Sequence, residues 1–139
     1  MALATFGAGC FWGVEYFFRE INGVINATCG YMGGKDSATT YKEVKTGTTG
    51  HAEVVQVEYD PEIVSYNDLL DAFWKNHNPT MLNMQGGDIG TQYRSTIFFH
   101  DKEQKALAET SKLALARSGK WGQRHIVTEI VPIQTFHIA

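Results

Sequence analysis

The hydrophobic period of this chain switches abruptly at Gly9-Cys10, and that switch constrains the fold more than any other feature. Ala2 to Ala8 reads as a short β-run. From there the apolar residues Phe11, Val14, Phe18 and Ile21 fall at i, i+3, i+7 and i+10, the single stripe of an amphipathic helix. Two more helical stretches follow. Ser65 with Asp68 three residues on reads as a capping-box start, with Leu69, Leu70, Phe73 and Trp74 behind it. Asp101 is placed to cap a third helix running to about Ser118, with Gly119 as its stop. Between them lie strand-like runs at Val24 to Tyr31, Ala52 to Tyr59, Ser95 to His100 and Ile126 to Val131. The order β-α-β-β-α-β-α-β predicts an α+β fold, a ferredoxin-like α/β sandwich of split βαβ type with a mixed sheet. Asn78 to Arg94 has no period and reads as a long loop, a length that compact domains keep for function.

The chain of 139 residues fits a single domain spanning 1–139. With 43% hydrophobic and 19% charged residues it has enough apolar surface for a core, so disorder is not expected. A net charge of −3 without a basic stripe argues against nucleic-acid binding. No apolar run approaches the roughly 20 residues that span a bilayer, and no signal peptide is expected ahead of the first strand, since Ala2 to Ala8 is short and lacks a basic flank. Two cysteines, Cys10 and Cys29, are too few for a disulfide framework, so the expected setting is reducing and cytoplasmic.

Chemistry concentrates around Cys10. A thiol at a helix start faces unpaired N–H groups and the positive end of the helix dipole, both of which favour a thiolate. Phe11 and Trp12 can wall an apolar pocket beside it, or simply join the core. In the strand from His51 to Tyr59, alternate residues share a face. Glu53 therefore lies with Val55 and Val57 on the inward side, where desolvation favours its protonated form and makes it a proton donor. The competing reading has Glu53 at the strand end, bent into water. Tyr41 and Tyr93 read as packed aromatics or hydrogen-bond donors, and Asp88 after Gly86-Gly87 as a turn residue or a site residue. No Cys/His spacing resembles a metal site. Three activities remain open on these residues alone: a thiol-dependent reductase, a hydrolase pairing Cys10 with His51, and a binding module with an aromatic pocket.

The segment Gly9-Cys10-Phe11-Trp12-Gly13-Val14-Glu15 resembles the signature of the A-type peptide methionine sulfoxide reductases. The resemblance continues through Gly30-Tyr31-Met32-Gly33-Gly34, Tyr41-Lys42-Glu43-Val44, Thr49-Gly50-His51-Ala52-Glu53, His77-Asn78-Pro79-Thr80 and Asp88-Ile89-Gly90-Thr91-Gln92-Tyr93-Arg94-Ser95, in family order. It implies a ferredoxin-like α/β sandwich with long active-site loops. It implies reduction of the S epimer of methionine sulfoxide, free or in oxidised proteins, as protein repair. On that resemblance Cys10 attacks sulfur and Glu53 protonates the oxygen. Tyr41 and Tyr93 donate hydrogen bonds to that oxygen, Asp88 helps hold the site, and Phe11 and Trp12 cradle the substrate methyl group. It further implies no bound cofactor or metal, an external thiol reductant (thioredoxin, glutaredoxin or dithiothreitol), no membrane or nucleic-acid partner, and a monomer. Many family members carry resolving cysteines in a C-terminal tail, and that segment is expected to be missing here. Cys29 is the one other thiol that could resolve a sulfenic acid. An ordinary strand thiol is the competing reading, and it leads to a single-cysteine enzyme.

Overall fold

The computed structural model describes residues 1–34 and 40–139. In chain order it forms β1 (Ala2–Ala8), α1 (Phe11–Arg19), β2 (Val24–Met32), α2 (Tyr41–Lys45), β3 (Ala52–Tyr59), α3 (Tyr66–Lys75), β4 (Met84–Gln85), β5 (Asp88–Ile89), a 3-10 turn (Thr91–Tyr93), β6 (Ser95–Phe99), α4 (Lys102–Arg117), β7 (Glu129–Pro132) and β8 (His137–Ile138). Six strands make one sheet in the order β7-β6-β1-β3-β2-β8. Its inner part, β6-β1-β3-β2, is antiparallel throughout, with α1 and α3 as crossovers. That is the split βαβ arrangement expected from the pattern of periods. β7 extends it in parallel beside β6, and β8 extends it antiparallel beside β2, so the sheet is mixed.

The larger core lies between this sheet and α1 and α3. Phe6 of β1 is at its centre, with ring centroids 5.0 Å from Phe18, 5.2 Å from Phe73 and 6.0 Å from Tyr66. Each such side chain removed from water contributes roughly 1.5–3 kcal/mol. A smaller cluster on the opposite face joins Met32, Ala52, Val54 and Phe98, with Val131 and Phe136 packed against it. Local signals set the helix starts. Ser65 and Asp68 form the capping box of α3, and Asp101 accepts the Gln104 N–H at 2.8 Å to start α4. Among the described residues, no helix is long and apolar enough to cross a membrane.

Several boundaries differ from the sequence reading. The first helix ends at Arg19, not Ile21, because the chain tightens: the Ile21 N–H returns to the Phe18 carbonyl at 3.1 Å. The last long strand covers Glu129–Pro132, later than Ile126 to Val131, because the Val127 N–H goes to the Pro79 carbonyl at 2.8 Å instead of to a strand. The stretch from Asn78 to Arg94 is not structureless. It holds the β4–β5 hairpin and the 3-10 turn. Neither α2 nor β8 is foreshadowed by a hydrophobic period, because both are too short to display one.

Candidate active site

Cys10 sits between β1 and α1 and is the N-cap residue of the helix. The preceding Gly9 has φ +97°, a backbone that side-chain-bearing residues rarely adopt, and a Cβ there would lie 2.8 Å from the Cβ and Cγ of Gln85. Gln85 is itself fixed. Its side-chain oxygen accepts the Asn78 N–H at 2.8 Å and its amide donates to the Asn78 carbonyl at 2.9 Å. The hairpin carrying Gln85 thus rests on the turn that presents the thiol. The expected hydrogen bond from the helix to the sulfur is not formed: Cys10 makes no side-chain cap. The Phe11 N–H instead donates to Oε1 of Glu53 at 3.2 Å, because a carboxyl oxygen accepts more strongly than a thiol sulfur.

Glu53 points to the helix side of the sheet with Val55 and Val57 and is 2% exposed, so the reading in which it bends into water does not hold. Burial pushes its carboxyl up to about 7, the Phe11 N–H pulls it down somewhat, and the charge of Asp88 raises it further. Near neutral pH the group therefore carries a proton for a substantial part of the time.

Aromatic rings surround this pair. Phe11 is buried, 5.5 Å from Trp12, 5.6 Å from Tyr31 and 6.5 Å from Tyr41 between ring centroids. Trp12 is 60% exposed and lies 5.8 Å from Tyr41, which makes it a rim residue and not a core residue. α2 presents Tyr41, and its start is fixed by the reciprocal bonds of Thr40 and Glu43. The 3-10 turn ends in Tyr93. Burial raises its phenol, followed by the charges of Glu53, Asp88, Tyr41 and Cys10, so these groups share one electrostatic neighbourhood. Asp88 is exposed at the start of β5. Gln92 donates to the Lys45 carbonyl at 3.2 Å, and Arg94 binds Glu129 of β7 at 2.7 Å and the Thr91 carbonyl at 2.9 Å. The turn is thereby tied to α2 on one side and to the sheet edge on the other. A groove of about 670 Å³ is lined by Phe11, Trp12, Cys29, Tyr31 and Tyr41, among others, and its lining includes neither Cys10 nor Glu53. A second depression of about 760 Å³, between α4 and the approach to β7, contains none of these groups.

Cys29 lies on β2 under the first turn of α1, where its thiol donates to the Phe11 carbonyl at 3.6 Å. Burial pushes it up to about 12, with Glu15 and Cys10 adding to the effect, so it rests as a thiol. His51, which a hydrolase would need as its base, is 1% exposed and its Nδ1 accepts the Gly34 N–H at 3.0 Å. Among the described residues, no three His, Cys, Asp or Glu side chains converge as a metal site. Sequence reasoning assigned no part to Tyr31 or Gln85. Strand register is the signal for Tyr31, which pairs with Glu53 across β2 and β3. Gln85 carries no local signal, because its role depends on contact with a glycine distant in sequence.

A buried acid, a thiol at a helix head and an aromatic rim can together attack a polarised atom, protonate its oxygen and hold a small apolar group. Comparison with known proteins is consistent with that chemistry. The family model described as "Peptide methionine sulfoxide reductase" matches residues 2–139. The chain is 56% identical over 136 residues to the peptide methionine sulfoxide reductase MsrA of Methanothermobacter thermautotrophicus, covering 98% of this chain and 80% of that one. The crystal structure of reduced Mxr1 from Saccharomyces cerevisiae superposes with a TM-score of 0.93 at 37% identity, over 99% of this chain and 79% of that one. Mxr1 in complex with Trx2 superposes with a TM-score of 0.73 at 28% identity, over 99% of this chain and 80% of that one.

Proposed function

This chain belongs to the peptide methionine sulfoxide reductase family, with relatives named MsrA, and from that premise we propose a mechanism in which Cys10 is the nucleophile and Glu53 the acid. The enzyme is an oxidoreductase that reduces methionine sulfoxide. Residues 1–139 act as a single catalytic domain, and one copy of the chain suffices. The Cys10 thiolate attacks the sulfoxide sulfur. Charge flows onto the sulfoxide oxygen, which leaves sulfur only when protonated. Glu53 supplies that proton, and the phenols of Tyr41 and Tyr93 donate to the oxygen in a site with little water. The net step moves one oxygen from the methionine sulfur to the Cys10 sulfur. Methionine is reduced by two electrons and Cys10 is oxidised by two, to a sulfenic acid. Phe11 and Trp12 hold the substrate methyl group, Asp88 helps hold the site, and the S epimer, in oxidised proteins or as free amino acid, is the substrate.

Glu53 carries this reading. A carboxyl held near neutrality beside a helix-head thiol matches a reaction that needs a nucleophile and a proton donor together. The thiol of Cys29 is held protonated, which supports regeneration by an external thiol. A first thiol forms a mixed disulfide with Cys10 and releases water, and a second frees Cys10. Thioredoxin is the proposed partner, on the precedent of Mxr1 with Trx2.

The test uses separated S and R epimers of a methionine sulfoxide peptide with dithiothreitol. Turnover of S alone, abolished in Cys10→Ser, is expected. Turnover of R, or activity surviving in that variant, overturns the reading. After one turnover without reductant, one thiol is lost and Cys10 reacts with dimedone. Loss of both thiols as an internal disulfide would instead assign resolution to Cys29.

A further inference from the structure

Tyr31 is a buried phenol that the mechanism above leaves unused. It is 0% exposed, and its hydroxyl has no hydrogen-bond partner among the described residues. A buried hydroxyl without a partner is costly, so one in the middle of a reactive site calls for an explanation. Its position is specific. Tyr31 is the residue opposite Glu53 in the β2–β3 pairing, and side chains of opposed residues lie on the same face. Its ring packs 5.6 Å from Phe11, whose N–H is the donor to the Glu53 carboxyl, and 6.4 Å from His51. After burial, Glu53 is the largest influence on the Tyr31 phenol, followed by Tyr41, Cys29 and Tyr93.

We propose that Tyr31 is a positioning residue for the acid: its hydroxyl donates to the Glu53 carboxylate as that carboxylate forms. In the resting site Glu53 holds its proton for much of the time and one oxygen already accepts the Phe11 N–H. When the proton passes to the sulfoxide oxygen, a negative charge appears in a place closed to water. A single backbone N–H then faces a full charge. The unused hydroxyl across the strand pair supplies the second donor, and Tyr31 keeps its own proton throughout. A donor satisfied only when charge develops lowers the barrier without tightening substrate binding. The other groups facing Glu53 are Asp88 from β5, Tyr93 from the 3-10 turn and Cys29 from β2, with Cys10 capping the helix whose first N–H binds Glu53, and His51 two residues before Glu53, just ahead of β3. Of these, Asp88 opposes the carboxylate, and Tyr93 is the competing donor.

The inference rests on Glu53 as the acid, and it is tested on the full chain in two ways. In Tyr31→Phe, kcat falls roughly tenfold or more, the usual effect of losing a hydrogen bond to a charged group, while KM is unchanged. The descending limb of the kcat/KM profile moves to higher pH by about one pH unit, because the carboxylate has lost a donor. Infrared difference titration of the carboxyl band, assigned with Glu53→Gln, moves the same way and requires no turnover. In a Glu53→Gln background no carboxylate forms, so Tyr31→Phe adds less than about twofold. If the phenylalanine variant fails to fold, 3-fluorotyrosine at position 31 keeps the ring and strengthens the donor, and the band then moves to lower pH. An unmoved band, or an equal kcat loss in the Glu53→Gln background, overturns the proposal. A wild-type protein that reduces neither epimer would remove the reading of the reaction, while the band titration would still decide the link between Tyr31 and Glu53.

Discussion

The role proposed for Glu53 combines two requirements that normally conflict, burial among valines and participation in proton transfer. The conflict is resolved by keeping it protonated, so its effect on rate has a definite sign. As pH rises through about 7 the acid is lost, and kcat/KM should fall along that limb in a stopped or coupled assay. Glu53→Gln retains an N–H donor in nearly the same volume, whereas Glu53→Ala leaves neither donor nor packing. Alanine should therefore lower kcat by roughly 10²–10³, and glutamine by distinctly less. Equal losses would indicate that the carboxyl does not donate.

At the scale of elements, the β4–β5 hairpin is a support for the thiol. Gly9→Ala would place a methyl group against Gln85 at a backbone angle that disfavours it. The expected cost is about 1–3 kcal/mol of stability by urea titration, with a loss of roughly tenfold or more in kcat/KM as Cys10 is displaced. Adding Gln85→Gly to that variant removes the clash, which involves both Cβ and Cγ of Gln85, but not the strained angle, so the two changes should combine less than additively. This contact also shows where sequence reasoning stops. Glu53 was legible, because strand parity with Val55 and Val57 needs only local alternation. The starts of α3 and α4 were legible from Ser65, Asp68 and Asp101, because a cap is a short-range pattern. Gln85 against Gly9 was not, since it joins residues far apart in the chain and depends on a hairpin too short to show a period. The lack of a sulfur cap at Cys10 was hidden for the same reason: the competing acceptor comes from β3.

For the whole molecule, two buried groups give stability opposite dependences on pH. Glu53 is raised from 4.5 to about 7, so its contribution is fully present below 4.5 and is lost as pH rises through about 7. His77 is lowered from 6.5 to about 4 by burial, its Nδ1–H donating to the Phe73 carbonyl at 2.6 Å and its Nε2 accepting the Ser95 hydroxyl at 2.7 Å. Its contribution is present above 6.5 and is lost as pH falls through about 4. Between about pH 4.5 and 6.5 the two slopes oppose each other, each integrating to at most about 3 kcal/mol. Urea titrations across this range should show stability rising more steeply with pH in Glu53→Gln and falling with pH in His77→Gln. A parallel profile in either variant would contradict the burial assigned to that group. The sheet also places its reactive groups unequally. Cys10 leaves β1 and Glu53 stands on the neighbouring β3, joined through a single amide at Phe11. Tyr93 ends a 3-10 turn that Gln92 ties to α2 and Arg94 ties to β7. In a mechanical assembly, error grows with the number of joints between two parts. Counted this way, the proposed nucleophile and acid are held to the tighter tolerance, and the phenol of Tyr93 to a looser one.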